Sequence, residues 1–283
     1  VAAARLVHPF PSLLDGAVVA VVALVAGGTP MLVAALGVSM TLLQFAVGTL
    51  NDIVDAPRDR TTRVGKPIAD AIVSERAARV VLGACAAAGL LVALAANPPL
   101  VALACVGLAI GAWYDLFAKG TRLSWLPLAV GVPILPIYGW YGAAGSLPAA
   151  FGVLVPAAAL AGAALAIANA AVDLERDAAA GVMTLAVSLG SVRSTALALA
   201  LQAVVAVLAV ASLSRLGASG PWLSAAVATA FVPLAGAGLG LLLARRGPTA
   251  REVAFEIQAV GLALLAVAWV NALGVAAVAS QGA

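Results

Sequence analysis

Apolar residues run through this chain in long stretches, separated by short polar segments that hold almost every charge. Nine stretches stand out: Leu13–Gly28, Met31–Leu50, Ala77–Ala96, Leu100–Tyr114, Leu126–Ala144, Pro148–Val172, Ser194–Leu213, Trp222–Ala244 and Val253–Ala279. A bilayer's hydrocarbon layer takes about 20 apolar residues in helical form, so the pattern predicts an all-α bundle of about nine membrane-spanning helices. The fourth stretch is short for a full crossing. The run from Leu13 reads as the first span and not as a signal peptide. Pro133, Pro136, Gly162 and Pro233 fall inside spans and predict kinks or close helix packing.

Composition removes the soluble alternatives. Hydrophobic residues are 64% of the 283 and charged ones 10%, whereas soluble domains carry roughly a quarter charged. The net charge of +3 comes from basic residues spread over loops, which excludes a nucleic-acid surface. Cys85 and Cys105 sit within apolar runs, as small hydrophobes do, and point to neither a disulfide framework nor a zinc site. His8 is the only histidine, which excludes a histidine-built metal centre or catalytic triad. With nine spans, the loops after the second, fourth, sixth and eighth share a side with the N-terminus. Of the fifteen Lys and Arg residues all but Arg215 fall there, so that side is expected to be cytoplasmic. All twelve acidic residues fall there too, and charge-dependent chemistry is expected at that one face.

Two of the polar segments repeat. Asn51-Asp-Ile-Val-Asp-Ala-Pro-Arg-Asp59 and Asn169-Ala-Ala-Val-Asp-Leu-Glu-Arg-Asp177 share N-x-x-V-D-x-x-R-D and close the second and sixth spans. Spans one to four and five to eight are therefore expected to be parallel repeats, about 10–122 and 123–246. They form a single domain around a central cavity, with a last helix near 252–279. If the helices continue into the motifs, Asn51 and Asp55 share a face, as do Asp55 and Asp59, although Pro57 limits regular continuation. In the second motif Asn169, Asp173 and Asp177 form one stripe.

Carboxylates and Asn carbonyls are hard oxygen ligands. Magnesium typically combines one or two of them with substrate phosphate oxygens, so two facing sets suit a metal-bridged diphosphate. An ordinary interfacial loop with Asp–Arg pairs accounts for one motif, but poorly for a duplicated one. Cations follow: Arg58, Arg60, Arg63 and Lys66 after the first motif, and Lys119 and Arg122 after Tyr114-Asp115. They suit phosphate contact, and topology signalling is their competing role. Gln44 lies on the same helical face as Asn51 and could meet an acceptor, as could Ser39; helix–helix hydrogen bonding is the competing role. No basic residue lies deep within a span, which argues mildly against a benzoate-type acceptor, with a loop arginine that reaches in as the competing arrangement.

These residues resemble the UbiA superfamily of intramembrane prenyltransferases. Asn51-Asp52-x-x-Asp55-x-x-x-Asp59 resembles its first motif and Asp173-x-x-x-Asp177 its second, while Gly181–Gly190 and Tyr114–Lys119 resemble further conserved stretches. Lys66-Pro67-Ile68 departs from an Arg-Pro-hydrophobic segment, and Ala71-Ile72 from the small-residue-Gly pair that ends it. The resemblance implies Mg2+ held by Asn51, Asp52, Asp55, Asp59, Asp173 and Asp177, with Asp55, Asp59, Asp173, Asp177 and Lys119 carrying the chemistry. Substrate contacts fall to Asn51, Arg58, Arg63, Lys66, Tyr114, Lys119, Arg122, Asn169 and Gln44. The implied reaction moves an isoprenyl group from an allylic polyprenyl diphosphate to a small aromatic or quinone-precursor acceptor. The carbon becomes cation-like, and Trp113, Tyr138, Trp140 and Tyr141 are candidates to shield it, with packing or interfacial anchoring as their competing role.

Two other readings stay open. One is a related reaction of the same superfamily, donor cyclisation or phosphoribosyl transfer to a polyprenyl phosphate. The other is a cation- or phosphate-coupled transporter, which the nearly uncharged outer face disfavours.

Overall fold

A computed structural model describes residues 3–62, 65–215 and 220–281. Twelve α-helices occur among them: α1 (Pro9–Val25), α2 (Pro30–Thr62), α3 (Glu75–Ala96), α4 (Leu100–Trp113), α5 (Leu126–Gly131) and α6 (Ile134–Ala144), then α7 (Phe151–Val172), α8 (Leu174–Ala179), α9 (Leu185–Leu189), α10 (Ser191–Arg215), α11 (Pro221–Leu242) and α12 (Pro248–Gln281). No strand occurs among the described residues. A 3-10 turn (Ala3–Val7) precedes α1, and a π-helical turn (Tyr114–Ala118) prolongs α4.

Local chemistry sets the ends. Ser74 accepts a hydrogen bond from the Ala77 amide (3.2 Å) and caps α3, as Thr184 caps α9 through Val187. Proline opens α1, α2, α11 and α12, where its missing N–H costs no helical bond. The predicted fifth span is broken instead of kinked, because Pro133 follows Val132 and separates α5 from α6.

Eight described segments are long and apolar enough to cross a membrane, among them Leu126–Ala144 with its break; the predicted first span, α1, is an apolar helix of 17 residues. Side chains such as Leu91, Val207, Phe231 and Leu242 remain largely exposed on them. Such surfaces would associate in water and are at home in lipid. The chain is a multi-pass integral membrane protein.

The chain divides into two compact units, Val1–Phe117 with Ile134–Ser146, and Ala118–Pro133 with Leu147–Ala283. Within the first, α2 touches α1, α3, α4 and α6. Ser39 on α2 donates to the Gly89 carbonyl (2.8 Å) and pairs with the Tyr138 hydroxyl (2.7 Å), tying α3 and α6 to it. Tyr138 is thereby fully buried in this unit's core with Leu36 and Leu100. Within the second, α7 touches α5, α9, α10 and α12, and Gln202 donates to Gln258 (2.7 Å) between α10 and α12. Each central helix carries one of the repeated motifs at its C-terminal end.

Apolar burial between helices is weak as a driving force in lipid, so close approach of small residues matters more. Gly162 of α7 lies against the Leu128 and Ala129 backbone of α5, whereas Gly152 of the same helix has open space beside it. Gly162→Ala is expected to lower the melting temperature in detergent, at an overpacking cost of about 1–3 kcal/mol. Gly152→Ala should leave it unchanged or raise it. Equal melting of the two variants would contradict this account of the α5–α7 contact.

Candidate active site

The first motif sits on an unbroken helix. Pro57 was expected to limit α2, yet the helix continues to Thr62. The reason is local: Pro57 is exposed, so its ring lies away from the packed side of α2 and the helix forgoes one backbone hydrogen bond there. Two helical stripes result. Asp52 and Asp59, two turns apart, are buried (3% and 5% exposed). Lys66 lies 2.6 Å from Asp52 Oδ1 and 3.9 Å from Asp59 Oδ2, and His8 Nε2 lies 3.0 Å from Asp52 Oδ1. Asn51 and Asp55 form the neighbouring stripe, both half-buried along with Arg58. Asn51 Nδ2 donates to Asp115 Oδ1 (2.7 Å), and Gln44 Nε2, two turns earlier, to Asp15 Oδ2 (2.7 Å).

Lys66 is placed by a tight turn. The Asp70 and Val73 amides return to the Lys66 and Pro67 carbonyls at 2.9 Å, and Ala71 adopts a left-handed φ of 58°. Where the resemblance led to expect a small-residue-Gly pair, the chain turns at an alanine, at a cost of about 1–2 kcal/mol. Arg63 lies outside the described residues. Asp115 is buried in the π-helical turn, a deformation often found at functional sites. Tyr114 and Lys119 are half-buried and Arg122 is exposed.

The second motif is built differently. The expected single stripe Asn169–Asp173–Asp177 is not carried by one helix: α7 stops at Val172, α8 starts at Leu174, and Asp173 lies at the break (φ −91°, ψ 11°). Arg251 explains the break. Its buried guanidinium donates to the Val172 carbonyl (3.3 Å), which a continuing helix would give to residue 176, and to the Ala244 carbonyl (3.1 Å). It also clamps both carboxylate oxygens of Glu175. Arg176 Nη1 donates to Asp173 Oδ1 (2.6 Å). A cavity of 390 Å³ is lined by Val172, Asp173, Glu175, Arg176, Gly247 and Pro248. Asn169 is exposed and Asp177 half-buried.

No cluster of three or more His, Cys, Asp or Glu side chains poised for a metal occurs among the described residues. Cations of the protein already hold several of these acids, Asp52 and Asp59 through Lys66 and Asp173 through Arg176. The donor set nevertheless fits a hard divalent cation, being carboxylates and an amide, and Asp52 Oδ2 is buried with no hydrogen-bond partner. Of the sequence candidates, Ser39 and Tyr138 are spent on core packing. His8, Asp15, Asp115 and Arg251 were not selected as site residues. The available signal for Asp15 was a carboxylate near the start of an apolar run; for His8 and Arg251 the sequence alone offered no partner.

A family model described as the UbiA prenyltransferase family matches residues 16–260. The chain belongs to that family. Solved structures agree in fold. A UbiA homologue from Aeropyrum pernix K1 in its apo form has a TM-score of 0.73 at 20% identity, covering 94% of this chain and 97% of that one. A UbiA homologue from Archaeoglobus fulgidus bound to GPP and Mg2+ gives 0.67 at 18%, covering 94% and 99%. A structure described as digeranylgeranylglyceryl phosphate synthase gives 0.69 at 16%, covering 94% of each. At these identities the likeness carries the fold alone. No curated protein matches the sequence.

Arg251 beside Glu175 holds that carboxyl below its ordinary value, with desolvation opposing. A depressed value means that the pair's stabilisation is present above the unfolded-state value and is lost as pH falls through the folded one. Glu175→Ala leaves the buried Arg251 without its counter-charge. Because Glu175 is mostly exposed and screened by solvent, the expected loss is about 1–2 kcal/mol. Thermal melts of a double-mutant cycle with Arg251→Met should give a larger coupling than the exposed Glu75–Arg79 pair (2.5 Å). An equal or smaller coupling would remove the clamp from the account of the break at Asp173.

Proposed function

We propose that this UbiA-family protein transfers an isoprenyl group from an allylic polyprenyl diphosphate to a small acceptor within the membrane, releasing diphosphate, and that it requires Mg2+. The observation that carries this reading is the pair of acidic motifs, each at the C-terminal end of the central helix of its unit, in a chain of this family. A family relative bound to GPP and Mg2+ supports it.

In this reading Asn51, Asp52, Asp55 and Asp59 of the first motif and Asp173 and Asp177 of the second are the Mg2+ residues. Bound Mg2+ supplies charge neutralisation to the departing diphosphate. Lys66, Arg58, Lys119 and Arg122 add fixed or mobile positive charge for the same oxygens, and Tyr114 contributes a hydroxyl. Lys66 already accommodates two carboxylates, Asp52 and Asp59, and so keeps like charges together until a divalent ion takes over. Apolar helix surfaces exclude the water that would intercept a cation-like carbon. We further propose a cytoplasmic side for the motif-bearing loops, from their basic residues, and a single domain of two four-span repeats with a last helix.

The test is diphosphate release by detergent-purified protein given geranyl, farnesyl or geranylgeranyl diphosphate, with Mg2+ present or chelated, and with phenolic and other acceptors. Mg2+-dependent release that rises with an acceptor is expected. Asp55→Ala and Asp173→Ala should each lower turnover at least about a hundredfold. Release indifferent to acceptors would instead indicate cyclisation or hydrolysis, and no release from any donor would overturn prenyl transfer.

A further inference from the structure

Two contacts set the register between α2 and α4. Gly111 of α4 lies directly against Val47 of α2, where an added Cβ would come within 2.7 Å of the valine side chain. Four residues on along both chains, about one helical turn, Asp115 Oδ1 accepts from Asn51 Nδ2 at 2.7 Å. The two segments therefore run parallel here, and the missing side chain at Gly111 lets Asp115 approach the first motif. The π-helical turn Tyr114–Ala118 begins between the two contacts. The backbone deformation thus falls at the residue that reaches the motif.

Asp115 is 4% exposed and belongs to neither repeated segment. Burying a carboxylate is costly, and a hydroxyl would join two helices without that cost. What a carboxylate adds is one-sidedness. Its oxygens accept, whereas a hydroxyl or a second amide both donates and accepts. The Asn51 amide has two unlike ends, and against an acceptor it turns its nitrogen. In a planar amide this directs Oδ1 to the opposite side of Cγ, away from Asp115. Asn51 shares a face of α2 with Asp55, and both are half-buried. A hard cation takes the oxygen of such an amide and not its nitrogen.

We infer that Asp115 is a positioning residue, which holds the Asn51 amide by its nitrogen so that Oδ1 is the end offered to Mg2+. This rests on the Mg2+-dependent reading of the site, and it assigns Asn51 to the cation. Without Asp115 the amide is free to rotate, and a part of the molecules presents nitrogen where an oxygen ligand is needed. Groups that orient a ligand from behind are worth about 10–100-fold in metal affinity.

The test is a double-mutant cycle read as Mn2+ affinity, a hard divalent stand-in for Mg2+ that paramagnetic resonance detects. Purified protein is used with an unreactive geranyl thio-diphosphate, and melting in the absence of metal controls for folding. Asp115→Leu should weaken Mn2+ binding about 10–100-fold, and Asn51→Ala should do so to a similar extent. Asp115→Leu added to Asn51→Ala should then cost no more than about twofold, because the residue it orients is gone. A role in helix packing or in local charge alone would give the same loss with Asn51 present or absent. If Asp115→Leu yields no folded protein, the cycle is read with the nearly isosteric Asp115→Asn, which lets either end of the Asn51 amide face it. An unchanged affinity on substituting Asp115, or additive losses in the cycle, would overturn the assignment. Failure of prenyl transfer reads out separately, as no acceptor-stimulated diphosphate release from a wild type that still binds Mn2+.

Discussion

Charge in a medium of low polarisability must be matched side chain by side chain, and the polar architecture of this protein follows from that rule. Asp52 takes His8 and Lys66, Glu175 takes Arg251, Asp173 takes Arg176, and Asp15 takes an amide from Gln44. These contacts do more than neutralise. Lys66 brings the loop after α2 back onto that helix, and Arg251 decides where α7 ends. The acids of the two repeated segments are thus kept in place by the cations nearest to them.

Small residues supply the complementary half of the construction. Helices that meet lipid on one side gain little from hiding leucine on the other, so α1 approaches α2 through Gly16 and Gly37, and α7 approaches α5 through Gly162. Close backbones leave little room for movement at the central helices. The two motifs hang from helices with four helical neighbours in their own unit, while long apolar side chains such as Phe231 and Leu242 face outward. Rigid scaffolding beneath a polar end suits the diphosphate site proposed for it.

Much of this was legible in the sequence. Span-length apolar runs predicted the helices, and the two N-x-x-V-D-x-x-R-D segments predicted the ends that matter. What periodicity could not supply was partner identity across long separations. Nothing in the neighbourhood of Asp15 announces Gln44, and Arg251 lies among charges whose common duty is topology. The break at Asp173 was equally hidden, because a helix stopped by an arginine from another segment has no stop signal of its own: no glycine or proline follows Val172. Conversely, Pro57 is a stop signal that α2 overrides by turning it outward.

The duplicated segments are alike in letters and unlike in mechanics. Asn51 to Asp59 ride on a rod continuous with the helix below, so every angle among them is inherited from that helix; adding one residue beneath Asn51 would swing the whole set by about 100°. Asp173 instead straddles a joint, with a short helix of its own beyond it and a turn at Gly181 (φ 70°) soon after. One copy is a ruler and the other a hinge. The same pattern of letters can ride on either support, but tolerance to insertion, and freedom to adjust spacing, belong to the joint alone.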